Sequence, residues 1–208
     1  MSTIKTQIPQ QTMTYDEYIR KIHLMVSQLE TSGPNQTESL VNYTKLNYHR
    51  MTRLNKTIKL DDEITEVIND FKGNMLWVVI TEAWCGDAAQ NLPFIAKLAE
   101  SAENVDLQMV WRDENIAYID SHLTNGSRSI PKLIIYDKDT LEEIADWGPR
   151  PDPVQKMVME YKAGIDHQDL PFDRFAEKLH GWYAKNKNHT LRNELFSIFQ
   201  ALEIPKPV

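Results

Sequence analysis

Leu76-Trp77-Val78-Val79-Ile80-Thr81-Glu82-Ala83-Trp84-Cys85-Gly86-Asp87-Ala88-Ala89-Gln90-Asn91-Leu92-Pro93 is the stretch that decides the fold, and it carries the only cysteine of the chain. From Leu76 to Thr81 every residue is large and apolar, aromatic or β-branched, the signature of a strand buried on both faces. From Ala88 to Ala99 the pattern changes to helical spacing, with Leu92, Ile95, Leu98 and Ala99 on one stripe. Cys85 therefore stands where a strand becomes a helix. Unpaired backbone N–H groups and the positive end of the dipole at that point favour a thiolate, so a thiol there is expected to fall below its free pKa of about 8.5.

Trp84, Cys85 and Gly86 stand as in the W-C-G-x-C turn of the thioredoxin superfamily, and Pro93 follows the cysteine by eight residues, where that family carries a helix-kinking proline. Ser129-Ile130-Pro131-Lys132-Leu133-Ile134-Ile135-Tyr136 resembles the family's cis-proline and the strand after it, and Gly148 resembles the glycine that ends its last strand. The chain most closely resembles bacterial thioredoxin-like proteins with aspartate in the turn and a T-N-G-x-R-S-I-P segment, here Thr124 to Pro131. The resemblance implies an α/β fold: a thioredoxin-like mixed sheet flanked by helices, with extra N-terminal and C-terminal helices. It implies Cys85 as nucleophile, and Trp84, Gly86, Asp87, Ile130 and Pro131 as the groove that binds substrate. Ile130-Pro131 is then cis and lies against Cys85, and the Ile130 backbone pairs with an extended substrate segment by strand addition.

Two positions depart from the family. Ala88 occupies the place of the resolving cysteine, and Val79 the place where thioredoxins commonly bury an acid that relays protons. With one thiol the chain forms no internal disulfide, so any exchange cycle is completed by an external thiol such as glutathione or another low-molecular-weight thiol. Asp87 repels a thiolate while the helix dipole attracts it, each by about 1 kcal/mol, so Cys85 is expected to be moderately acidified. Asp87 itself is either a proton acceptor or an acceptor of backbone hydrogen bonds in the first helical turn. For Cys85 the alternative to a thiol exposed at a groove rim is a small buried hydrophobe.

A length of 208 residues suffices for a substantial core, and a net charge of -7 disfavours nucleic acid and anionic membrane surfaces as partners. One cysteine suits a reducing compartment, and Met1 to Met13 lacks the apolar core of a signal peptide. No segment approaches the roughly 18 apolar residues of a membrane span, so a cytoplasmic protein is expected. The six histidines show no zinc-ligand spacing, and no glycine-rich phosphate loop occurs.

The chain divides into an N-terminal helical extension at 1–60, a thioredoxin-like core at 61–163 and a C-terminal helical extension at 164–208 packed on the core. A capping box at Thr14 to Glu17 opens a helix with Tyr18, Ile22, Met25 and Leu29 on one stripe, ending at Gly33-Pro34. A second helix runs from Glu38 to about Leu54 with Leu40, Tyr43, Met51 and Leu54 at helical spacing, and Arg50, Arg53 and Lys56 form a small basic cluster that is either a solvated face or an anion site. Asp61 caps a third. Val105 to Trp111 reads as a strand parallel to the first, followed by a short helix around Ile116 to Leu123. Lys132 to Tyr136 and Leu141 to Trp147 read as a hairpin. Asp113 either faces the edge of the sheet that carries Cys85 or caps the next helix. Pro153 starts a helix with Val154, Met157, Val158 and Tyr161 inward. Phe172, Phe175, Leu179 and Trp182 mark another, and a last helix begins near Thr190.

Three functions fit these residues. The first is monothiol thiol–disulfide exchange at Cys85, acting on a disulfide-containing or thiol-modified protein or small molecule, with no bound cofactor other than the recycling thiol. The second is a redox-inactive peptide- or protein-binding module that keeps the groove beside Pro131. The third is a dimer that bridges an iron-sulfur cluster through Cys85 and glutathione, which the Asp87-Ala88 turn fits poorly.

Overall fold

A computed structural model describes residues 8–165 and 169–203, with the side chain of Glu203 excepted; His167 lies outside the described residues. Three helices come first: α1 (Tyr15–Gln28), α2 (Glu38–Thr57) and α3 (Asp62–Asp70). Then follow β1 (Met75–Thr81), α4 (Gly86–Glu100), β2 (Val105–Trp111), α5 (Ile116–Asp120), β3 (Lys132–Asp137), β4 (Glu143–Trp147), α6 (Asp152–Lys162), α7 (Phe172–Asn186) and α8 (His189–Glu203). The fold is α/β, a mixed four-stranded sheet in the order β2-β1-β3-β4 with helices around it.

β1 lies inside the sheet, parallel to β2 with Val79 opposite Met109, and antiparallel to β3 with Val79 opposite Leu133. Trp77, Val78, Val79 and Ile80 are wholly buried, which explains the unbroken apolar run. Beyond β2, Met13 adds one antiparallel bridge through reciprocal hydrogen bonds with Met109 at 3.0 and 2.7 Å.

The capping box of α1 forms: the Thr14 hydroxyl accepts from the Glu17 N–H, and the Glu17 carboxylate accepts from the Thr14 N–H at 2.8 Å. The helix ends earlier than its apolar spacing suggests. Leu29 takes the left-handed C-cap conformation and is 75% exposed, so it leaves the buried stripe of Tyr18 and Ile22. On α2 the buried face is centred on Thr44, Asn47 and Met51, one step round the helix from the expected stripe. Thr44 and Asn47 are buried at little cost because each has a partner: the hydroxyls of Thr44 and Thr31 lie 2.5 Å apart, and Asn47 Nδ2 donates to the Ala83 carbonyl at 3.0 Å.

Leu141 also leaves its expected place. Asp137 Oδ1 accepts from the Asp139 and Thr140 N–H groups and closes the turn, and Leu141, exposed with a positive φ, precedes β4. In the C-terminal stretch, α8 lies against α3 and β4, with Leu191, Leu195 and Phe199 buried. Phe199 stacks nearly parallel on Trp77 with ring centroids 5.5 Å apart. Phe172 is exposed instead, and α7 buries Phe175, Leu179 and Tyr183 with Val154 and Val158 of α6 in a second, small cluster. Among the described residues no helix is long and apolar enough to cross a membrane.

Candidate functional site

β1 delivers its chain end to a tight turn, and Cys85 becomes the N-cap of α4. The Ala88 N–H points at Cys85 Sγ from 3.5 Å, and the thiol donates to the Ile130 carbonyl at 3.4 Å. The Ile130-Pro131 peptide bond is cis. Gly148, just past β4, has φ +116°, and a Cβ there would sit 2.4 Å from the Pro131 carbonyl oxygen. Only glycine lets the two backbones approach this closely. The turn and the Ile130-Pro131 segment thus meet at one sulfur, and Gly148 packs behind them on Pro131. Trp84, half-buried beside it, carries the Arg112 guanidinium 4.9 Å above its ring.

The acidified, rim-exposed thiol expected from the turn is not what this structure holds. Cys85 is 7% exposed, and its pKa is pushed up to about 12, first by burial and then by the Asp87 carboxylate. The Ala88 N–H and the Arg150 charge act in the opposite direction and are outweighed.

Asp87 is an anchor. Its Oδ2 accepts from Arg150 Nε at 2.7 Å, and its Oδ1 from the Tyr183 hydroxyl at 2.8 Å. Burial raises its own pKa despite the nearby guanidinium. One carboxylate therefore ties the turn to the loop after β4 and to α7. A second layer supports it: Asn91 Nδ2 donates to the Tyr183 oxygen at 3.2 Å, and Asn188 Nδ2 to the Gln90 carbonyl at 3.1 Å. His180 of α7 lies over Gly86, where an added Cβ would meet its ring at 3.1 Å. Its Nδ1 accepts from Gln90 Nε2 at 3.1 Å. Burial and the Arg50 charge lower the His180 pKa to about 4, so the ring is neutral at pH 7.

The position of Val79 is apolar, yet a buried acid exists three residues further on. Glu82 is wholly buried, accepts from the Ser32 hydroxyl and from the Asp113 N–H at 2.8 Å, and has its pKa raised by burial. Ser32 also accepts from the Ala83 N–H at 2.8 Å, while Asn47 takes the Ala83 carbonyl. Both polar groups of the Ala83 peptide are thus held by the N-terminal helical segment. Asp113 does not cap α5: its side chain pairs with Arg112 at 2.8 Å, and the N-cap of that helix is Asn115.

A family model described as thioredoxin matches residues 33–162, more than half of the chain. The chain belongs to the thioredoxin superfamily. No curated protein sequence matches it. Among solved structures this thioredoxin-superfamily chain is similar to a protein of unknown function from Pseudomonas aeruginosa, at 14% identity and a TM-score of 0.56, over 91% of this chain and 98% of the other. It is also similar to an HIV epitope-scaffold at 15% identity and a TM-score of 0.53, over 91% and 99% of the two chains. At these identities the likeness is one of fold.

For a thioredoxin-superfamily member the turn is short of one sulfur. Ala88 is wholly buried in the first turn of α4, at the position where its N–H reaches Cys85. Four groups at the site escaped the sequence reading: Glu82, Arg150, His180 and Tyr183. Glu82 alone had a sequence signal, a carboxylate directly after a strand buried on both faces. The others arrive from helices and loops whose placement no local pattern encodes. Arg50 is expected either on a solvated face or at an anion site, and it does not lie on a solvated face. It is half-buried instead, with Nη1 4.0 Å from where a Gly86 Cβ would lie.

Proposed function

We propose that this protein carries out monothiol thiol–disulfide exchange at Cys85. The observation that carries the reading is the placement of Sγ between the Ala88 N–H at the helix start and the Ile130 carbonyl beside the cis Pro131. The Cys85 thiolate attacks one sulfur of a disulfide, its own new S–S bond forms as the old one breaks, and the other half leaves as a thiolate. An external thiolate, from glutathione or another low-molecular-weight thiol, then attacks the mixed disulfide. That step returns the Cys85 thiolate and releases a new disulfide, with no net loss of electrons. The disulfide partner is a protein or small molecule lying along Trp84, Gly86, Asp87, Ile130 and Pro131. A reducing cytoplasm suits a protein with one cysteine, and nucleic acid and membrane are not partners in this reading.

A buried thiol whose pKa lies near 12 favours a second reading, a redox-inactive module that binds protein in the same groove. The rate of Cys85 alkylation against pH, with Cys85→Ser as blank, separates the two. Exchange requires measurable reaction in the folded state, rising about tenfold per pH unit through the neutral range as thiolate forms. Reaction only on unfolding removes exchange and leaves the binding module.

A further inference from the structure

The arginines of this molecule are mostly neutralised. Arg112, Arg128, Arg150, Arg174 and Arg192 each pair with a carboxylate. Arg50 has no carboxylate partner among the described residues. Its Nη1 donates to the Asn47 side-chain oxygen at 3.2 Å, and the charge beside it is that of Arg53, one helical turn along α2. Tyr43, whose hydroxyl donates to Asp173 at 3.5 Å, and the neutral His180 lie near it.

A half-buried cation next to another cation is an unfavourable arrangement, since burial removes water and the single neutral acceptor on Asn47 replaces only part of the lost solvation. Lysine or arginine on a plain solvated face does not meet this cost. Arg50 meets it one residue along the turn from the only thiol. Asn47 fixes the guanidinium there, and the same Asn47 holds the Ala83 carbonyl, so the charge and the thiol-bearing turn share one support. A guanidinium presents paired N–H donors that match a carboxylate.

We infer that Arg50 is a binding residue for the anionic group of the molecule exchanged at Cys85, which is a small thiol or disulfide carrying a carboxylate. The inference rests on the exchange reading and narrows it to a substrate class. Arg53 lies further out, exposed, and adds only long-range attraction.

Two aromatic disulfides test it: dithiobis(nitrobenzoate), which carries carboxylates, and dithiodipyridine, which carries no charge at neutral pH. Both react with the same thiol by the same step, Cys85 sulfur displacing one aryl thiolate. The ratio of their rates therefore cancels changes in Cys85 exposure or acidity. Relative to free cysteine, the wild-type ratio favours the anionic reagent and declines with added salt. Arg50→Gln lowers the ratio about tenfold, Arg50→Lys restores much of it, and Arg53→Gln leaves it within about twofold. A ratio untouched by Arg50→Gln, or lowered equally by Arg53→Gln, overturns the anion site while leaving exchange intact. If the neutral disulfide fails to react with the folded wild-type protein, the exchange reading falls and the anion site falls with it.

Discussion

Cys85 shows two opposed effects at a single atom. The first turn of a helix aims N–H groups at the sulfur and favours the thiolate by about 1 kcal/mol. Burial disfavours the same charge by more, and the Asp87 carboxylate adds to it, so the thiol form prevails. A favourable helix terminus is therefore not enough to activate a cysteine when water is excluded from it. The neighbour at the end of that turn offers a direct test. Ala88→Cys places a second sulfur in the first turn of α4, where the Ala88 N–H already reaches Cys85 at 3.5 Å. The substitution overfills a wholly buried position by one atom, at a cost of about 1 kcal/mol. Free-thiol titration after mild oxidation should find both sulfurs consumed with no disulfide between chains. Gain of dithiol reductase activity would then follow. If the second sulfur leaves the chain inactive, the exchange reading loses the site geometry on which it depends.

Among the elements, α7 is joined to α4 by polar contacts. Its buried side chains Phe175, Leu179 and Tyr183 pack with α6 and not with the main core. It meets α4 through Tyr183 on Asp87, Asn91 on Tyr183 and His180 on Gln90. A hydrogen bond to a charged group contributes roughly 1.5–3 kcal/mol, so Tyr183→Phe should loosen α7 by an amount of that order. Because α7 covers the turn, native-state alkylation of Cys85 should accelerate about tenfold or more. An unchanged rate would show that the thiol is shielded by something other than α7. This element also marks where reading the sequence succeeds and where it stops. β1, α4 and the cap of α1 were legible because apolar periodicity and capping chemistry are local. That Cys85 would meet the Ile130-Pro131 segment was legible from motif order. His180 and Tyr183 were not, since their helical stripe marks a buried face without saying which surface it covers. Thr44 and Asn47 carry no apolar signal at all: polar residues are buried only when distant partners, here Thr31 and Ala83, wait for them.

For the whole molecule, the site couples folding to pH in two directions. Asp87 and Glu82 have folded pKa values above their ordinary values of 3.8 and 4.5, so the native state holds their protons more tightly, and each withdraws stability as pH rises through that window. His180 acts the other way. Its pKa falls from 6.5 to about 4 on folding, so between those values the unfolded chain binds the extra proton. Stability conferred by the neutral ring is present above pH 6.5 and is lost as pH falls toward 4. The groups facing that ring make the sign firm: Arg50 repels a second positive charge, and Gln90 donates to Nδ1, which a protonated ring could not accept. One proton sets the limit of the slope, about 1.4 kcal/mol per pH unit. Urea unfolding of wild type and His180→Gln at about pH 7, 6 and 5 should therefore diverge in slope, with the variant flatter by up to that amount. Parallel pH profiles would mean that His180 titrates alike in both states, and that α7 does not hold its ring away from water.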